Sequence, residues 1–174
     1  MLNPCIRPVT AGYSEKLLEI YSYYVENTAV SFETETPSPA EFSERIAVIS
    51  SKYPYLVCLT GDEITGYAYA SKHRERAAYR FDVDVSVYLR RDMRGMGLGT
   101  ALYARLFEEL DRRGYYNAYA AITLPNDQSI SLHRKFGFAE IGVHHRTGYK
   151  FNKWHDVLWL EKAIKDTSSD PKIS

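Results

Sequence analysis

The stretch Arg94-Gly95-Met96-Gly97-Leu98-Gly99-Thr100 constrains this chain more than any other. It follows an alternating run, Asp82 to Leu89, that reads as a half-buried strand. It opens a run, Leu98 to Arg113, with Leu98, Leu102, Leu106 and Leu110 on one side, which reads as an amphipathic helix. Three glycines in five positions let main-chain amides approach a ligand without side-chain obstruction. Those amides begin a helix, where unpaired N–H groups and the helix dipole favour an anion. A strand, a basic glycine-rich turn and a helix together form a cradle suited to a pyrophosphate.

The 174 residues suffice for a domain with a substantial core. Residues 1–165 read as a single domain and 166–174 as a polar, disordered tail. Lysine and arginine total 22, as do aspartate and glutamate, so no basic excess points to nucleic acid. No apolar run approaches the roughly 20 residues that span a bilayer. Met1-Leu2-Asn3-Pro4-Cys5 lacks the pattern of a secretory signal. Cys5 and Cys58 show neither metal-ligand nor disulfide spacing, so reduced thiols in a cytoplasmic protein are expected.

A first strand is expected at Ile6 to Val9, then a helix capped by Ser14 and running to about Asn27. Thr28 to Pro39 reads as a loop, Ala40 to Ser50 as a helix. Tyr55 to Thr60 and Ile64 to Ala70 form a hairpin about Gly61-Asp62, followed by a basic loop, Ser71 to Ala78. After the long helix come a strand at Tyr115 to Thr123 and a short helix at Gln128 to Phe136. Two strands, Ala139 to His145 and His155 to Leu160, complete the pattern. The expected class is α/β or α+β, with helices flanking one mixed sheet.

A dinucleotide-binding turn places its third glycine where this chain has Thr100, and lies near the first strand. A nucleoside-triphosphate loop needs Gly-Lys-Ser/Thr, which is missing here. Arg94-x-x-Gly97-x-Gly99 instead resembles the acetyl-CoA pyrophosphate signature of the GNAT N-acetyltransferase superfamily. Asn126, His133 seven residues later and Gly137-Phe138 fit the second half of that pattern. Leu124-Pro125-Asn126-Asp127-x-Ser129-x-x-Leu132-His133 and Gly148-Tyr149-Lys150-x-x-x-Trp154-His155-Asp156-Val157 resemble its phosphinothricin acetyltransferase branch. So do Thr28-x-Val30-x-Phe32-x-Thr34-Glu35, Arg74-x-Arg76-x-x-Tyr79 and Asp84-x-x-Val87-Tyr88.

The resemblance implies a GNAT fold, with a mostly antiparallel mixed sheet splayed at an acetyl-CoA cleft. It implies a cytoplasmic homodimer that acetylates the α-amino group of a small amino acid or analogue, of the phosphinothricin, methionine sulfoximine or methionine sulfone kind. Acetyl-CoA is the implied co-substrate, with no metal, nucleic acid or membrane. Val87, Tyr88 and Leu89 would lie along the pantetheine as an added strand would. Arg94, Gly95, Met96, Gly97, Leu98, Gly99 and Thr100 would wrap the pyrophosphate. Asn126 would bond the pantetheine arm, with Ser129 and Lys135 near it, while Asn126-Asp127 also reads as a turn and helix cap.

Asp84 is the candidate general base. It shares a strand face with Asp82, and neighbouring carboxylates raise at least one pKa. The alternative is that both are solvated or paired with Arg74, Arg76 or Arg80. The family usually has glutamate at this position, so the shorter aspartate favours a bridging water. His133 stands where most GNAT enzymes carry a proton-donating tyrosine, and the imidazole suits either accepting from the amine or donating to sulfur. Arg74 and Arg76 would clamp an acceptor's carboxylate or phosphinate. Phe32 would wall the acceptor pocket, and Tyr103 would reach the thioester or serve the core. His73, His144, His145 and His155 carry no comparable signal, and Cys58 in an apolar strand reads as inert. The expected chemistry is direct attack in a ternary complex. Alternatives are another amine acceptor (a peptide N-terminus, a polyamine or an aminoglycoside) or a non-catalytic acyl-CoA-binding module.

Overall fold

The computed structural model describes residues 4–168 and 171. The readings of the first three residues and of much of the 166–174 tail fall outside these. In chain order the elements are β1 (Cys5–Pro8), α1 (Ser14–Asn27), α2 (Pro39–Ser50), β2 (Tyr55–Thr60), β3 (Glu63–Lys72) and β4 (Asp82–Leu89). They continue with α3 (Leu98–Arg112), β5 (Asn117–Thr123), α4 (Asp127–Lys135), β6 (Ala139–Lys150) and β7 (Lys153–Ala163).

The strands form one sheet in the order β1-β2-β3-β4-β5-β7-β6. Each neighbouring pair is antiparallel except β4–β5, which is parallel. A parallel pair needs a crossover connection, and α3 supplies it. This is the mixed, mostly antiparallel α+β arrangement expected from sequence.

The parallel pair is short. Asp82, Val83 and Asp84 face Asn117, Ala118 and Tyr119, and the pairing stops there. On its other side β4 stays paired with β3 from Val83 to Leu89. Beyond Asp84, therefore, β5 leaves β4 and a gap opens in the middle of the sheet.

Strand alternation sorts the side chains of β4 between two cores. Val83 and Val85 pack with Leu98, Leu102, Leu106 and Leu110 of α3. On the opposite face α1 and α2 bury Leu17, Tyr21, Val25, Phe42 and Ile46 against Tyr55, Val57, Leu59 and Tyr67. Tyr88, paired with Tyr67, lies on that second face, and so do Ser86 and Asp84. Burying each such leucine or aromatic contributes about 1.5–3 kcal/mol, which holds the helices against the sheet on both sides of the gap.

Several boundaries differ from the sequence reading. Ser14 is the first residue of α1, not its cap, because a short 3-10 turn, Ala11–Tyr13, precedes it and Ser14 Oγ donates to the Ala11 carbonyl. Helix α2 starts at Pro39 because Ser38 and Glu41 form a reciprocal capping box. Strand β3 runs on to Lys72, since Ser71 and Lys72 still pair with Asp84 and Val83. Strands β6 and β7 are longer than read, joined by a tight turn with positive φ at Phe151 and Asn152.

Gly66 shows how closely β3 must approach the end of β4. A Cβ there would lie 2.5 Å from Leu89 Cδ2 and 2.8 Å from the Tyr88 carbonyl oxygen. Gly66→Ala is expected to destabilise the fold by about 1–3 kcal/mol through overpacking. An unchanged unfolding temperature would contradict that contact.

Candidate active site

The gap in the sheet leads into a cavity of about 600 Å³ between β4, the glycine turn and α4. Helix α3 starts under the turn. Gly97, with φ of +80°, is its N-cap, and no side chain caps it. The first intrahelical bond runs from Ala101 N–H to the Gly97 carbonyl, at 3.1 Å. The amides of Gly97, Leu98, Gly99 and Thr100 therefore precede the helical bonding pattern, with no acidic residue in the first turn to compete for them. Gly95 also has positive φ, and the space beside both Gly95 and Gly97 is open. A side chain at either would strain the backbone and enter the space an anion needs. At Gly99 a Cβ would sit 3.3 Å from Leu132, so the glycine lets α3 approach α4.

Arg94, Gly95, Gly97, Leu98, Gly99 and Thr100 line this cavity. The Met96 side chain is exposed outside it. The Arg94 guanidinium lies 5.0 Å from the Tyr24 ring centroid and 5.6 Å from that of Tyr23. Asn126, Ser129 and Lys135 line the opposite wall. Asn126 is also the cap of α4, its side-chain oxygen accepting from Ser129 N–H at 3.2 Å.

Main-chain bonding along β4 alternates. Arg90 N–H bonds the Thr65 carbonyl, which turns the main-chain groups of Val87 and Leu89 away from β3 and into the gap. Tyr24 takes both groups of Leu89. Its hydroxyl donates to the Leu89 carbonyl at 2.6 Å and accepts from the Leu89 N–H at 3.2 Å. Of the three residues expected along a pantetheine arm, Val87 is the one whose main-chain pair faces the cavity. The Tyr88 side chain packs edge-on against Tyr21 and Tyr24 in the α1 core.

The proton-handling candidates sit on opposite faces of the sheet. His133 of α4 is buried on the α3 side, and burial pushes its imidazole below the usual histidine range. Its Nδ1–H donates to the Ser129 carbonyl at 2.7 Å, so Nε2 accepts from the Tyr103 hydroxyl at 2.9 Å. Tyr103 is fully buried, and burial raises its hydroxyl far above the ordinary tyrosine range. Of the two roles read for His133, accepting from the amine would have to be shared with Asp84 across the strands that separate them. A second cavity of about 60 Å³, lined by Ser86, Val87, Tyr103, Ser129 and His133, occupies the gap between them.

Asp84 stands at the root of the gap, in the last β4–β5 pair. Burial raises its carboxyl above the usual aspartate range, against opposing pulls from His73 and Arg74. The cause is burial, not the neighbouring carboxylate of Asp82, which accepts from Asn117 Nδ2 at 2.9 Å. Nor does an arginine pair with Asp84; its partner is His73, Nδ1 to Oδ1 at 2.7 Å. Arg74 and Arg76 are exposed and form no ion pair among the described residues. Phe32, part-exposed, lies over Gly148, where a Cβ would come within 2.2 Å of its ring.

The loop that carries Phe32 has no regular structure, yet it is pinned. Ser31 is buried and its hydroxyl meets that of Tyr21 at 2.8 Å. The Lys150 ammonium, buried at the end of β6, donates to the carbonyls of Val25 and Ser31 at 2.6 and 2.7 Å. Tyr24, His73 and Lys150 escaped the sequence reading as site residues. Tyr24 matched an ordinary core position on α1, and His73 and Lys150 gain meaning only from tertiary partners. With β3 extended to Lys72, Ser71 stands opposite Asp84 and His73 lies one diagonal step away on the same face.

The comparisons with known proteins agree with this fold. The acetyltransferase (GNAT) domain family matches residues 6–159. The chain belongs to the GNAT acetyltransferase family. This acetyltransferase is 35% identical over 160 residues to the phosphinothricin N-acetyltransferase of Streptomyces viridochromogenes, covering 92% of this chain and 87% of that one. It is 34% identical over 175 residues to the L-methionine sulfoximine/L-methionine sulfone acetyltransferase of Pseudomonas paraeruginosa, covering 98% and 100%. A crystal structure of a GNAT superfamily phosphinothricin acetyltransferase from Sinorhizobium meliloti, in complex with acetyl-CoA, superposes with a TM-score of 0.94 at 35% identity. That likeness covers 97% of this chain and 93% of the other. The protein is an acetyl-CoA-dependent N-acetyltransferase with a GNAT fold.

Replacing Lys150 tests the pinned loop. Lys150→Met leaves the Val25 and Ser31 carbonyls without their donor, at a cost of about 2–3 kcal/mol. The expected result is a lower unfolding temperature, together with an acceptor KM that rises more than the acetyl-CoA KM. An unchanged acceptor KM would separate this lysine from the site.

Proposed function

We propose that this acetyltransferase transfers the acetyl group of acetyl-CoA to the α-amino group of a small amino acid or analogue, of the phosphinothricin, methionine sulfoximine or methionine sulfone kind. The observation that carries the reading is the setting of Asp84. A part-buried carboxylate with a raised pKa stands at the foot of the gap, with Arg74 close enough to act on it. A base and an unpaired cation together match an acceptor that presents an ammonium and an anion a few bonds apart. The acceptors named for the Streptomyces and Pseudomonas relatives are of that kind.

In this reading the two faces divide the work. Amides from Gly95 to Thr100, with Arg94, hold the pyrophosphate, and Val87 guides the pantetheine into the gap. Asn126, Ser129 and Lys135 support the other side of that arm. On the α1 face, Asp84 takes the ammonium proton through water, Arg74 and Arg76 hold the acceptor's anionic group, and Phe32 walls the pocket. The amine then attacks the acetyl carbonyl directly in the ternary complex, its oxyanion facing a backbone N–H near Val87. On the α3 face, the Tyr103 hydroxyl, oriented by the neutral His133, passes its proton to the departing sulfur and regains one from the attacking nitrogen. The reading includes a cytoplasmic homodimer. The exposed Tyr149, Phe151 and Trp154 of the β6–β7 hairpin give a second copy an apolar surface to cover.

A thiol-release assay over amino acids, their analogues, polyamines and short peptides tests the acceptor class. Turnover is expected with the amino acids and analogues. Arg74→Ala or Arg76→Ala should raise the KM for anionic acceptors about tenfold or more, with the acetyl-CoA KM unchanged. Preferential turnover of polyamines or peptides would overturn the reading.

The pH profile tests the base. A base works only when deprotonated, so activity should rise with pH along an acid limb displaced upward from the ordinary carboxylate range. Burial lowers the His133 pKa, which favours the neutral imidazole. Asp84→Asn should lower kcat about 100-fold or more and remove the limb. A limb that survives in the variant would assign it to another group.

A further inference from the structure

A histidine meets the carboxylate where the two central strands part. His73 directly follows the last residue of β3 and donates Nδ1–H to Asp84 Oδ1 at 2.7 Å. Its ring lies flat on Tyr119, with centroids 4.1 Å apart and planes 16° apart. Tyr79 meets it edge-on, with centroids 6.1 Å apart. Tyr119 is the β5 residue paired with Asp84 in the last rung before the gap. The imidazole is thus fixed by two aromatic rings before it makes its hydrogen bond.

Exposure decides which partner meets the substrate. The His73 side chain is 8% exposed, and that of Asp84 is 35% exposed. The carboxylate is the part of the pair that reaches solvent, and the ring is buried behind it. With Oδ1 engaged, Oδ2 is the oxygen left to take a proton. A base must hold its oxygen within about 0.5 Å of the productive place, and an aspartate alone can change χ1 rotamer and turns over a broad range of χ2.

We propose that His73 is a positioning residue for acetyl transfer, holding the Asp84 carboxylate by Oδ1 so that Oδ2 faces the acceptor's ammonium or its bridging water. The inference rests on Asp84 being the base. In the step itself Oδ2 gains the proton the ammonium loses, and Nδ1–H of His73 stays where it is. Several other groups act on this pair. Arg74, next in the chain, pulls the Asp84 carboxyl down as His73 does. Asp82 of β4 and Glu161 of β7 act on Tyr119 beneath the ring, and Asp82 is itself engaged by Asn117 of β5. Tyr69 of β3 stands on the same face near Asp84. Of these, His73 is the group bonded to the carboxylate.

His73→Phe keeps an aromatic ring against Tyr119 and removes the donor. His73→Asn puts an amide N–H close to the place of Nδ1 and provides no base. The expected result for H73F is a kcat about 10- to 100-fold lower, an unchanged acetyl-CoA KM, and an acid limb moved to higher pH as the downward pull on Asp84 is lost. H73N should recover most of the kcat and restore the limb. Wild-type kcat and limb in H73F would overturn the inference. So would an H73N variant as impaired as H73F, which would make the imidazole itself the base or a mere structural part. If H73F does not fold, His73→Ala is read by the same kcat and pH limb. Asp84→Asn run alongside separates the two levels. Wild-type turnover in D84N sinks the base and this inference together; an inactive D84N beside an unaffected H73F sinks this inference alone.

Discussion

The structure depends on a parallel pairing that is cut short. Strands β4 and β5 share three rungs, from Asp82 to Asp84, and then separate. Separating two central strands leaves main-chain N–H and C=O groups facing a gap, and such groups must be satisfied. Tyr24 satisfies those of Leu89 with a single hydroxyl that both donates and accepts. Those of Val87 face the cavity, where an extended amide-bearing arm such as pantetheine can pair with them. The two hydrophobic cores hold the strands apart, because α3 grips β4 from one side and α1 from the other.

From that gap follows the division of chemistry between faces. Even-numbered residues of β4 point to α1, and odd-numbered residues point to α3. Asp84 therefore lies on the α1 face of the sheet, and His133 with Tyr103 lies on the α3 face. In the proposed reading, a thioester threaded through the gap would meet an amine from one side and a proton source from the other. The glycine turn, at the N-terminus of α3, would anchor the far end of the same molecule in that reading.

Much of this was legible in the sequence, and the reasons are local. The alternation of Val83, Val85 and Val87 and the four-residue recurrence of leucines in α3 are set by backbone periodicity, so they survive without tertiary context. The glycine turn was legible because positive φ and close anion approach demand glycine itself. Ser14 misled because a serine before an apolar run signals a cap, whereas the preceding 3-10 turn took over that end. The pairing of Asp84 with His73 and the buried Lys150 were hidden for a different reason. Charged and polar side chains read as solvated until the fold brings partners to them, across 11 residues for His73 and 125 for the Val25 carbonyl that Lys150 holds. The source of the Asp84 shift was likewise hidden, since burial is not written in neighbouring residues.

A crystal structure of this protein with acetyl-CoA tests the central claim most directly. The account expects the pyrophosphate on the amides between Gly95 and Thr100, the pantetheine beside Val87, and the thioester in the gap between β4 and β5. Coenzyme bound along another surface, with β4 and β5 zipped together beyond Asp84, would contradict it.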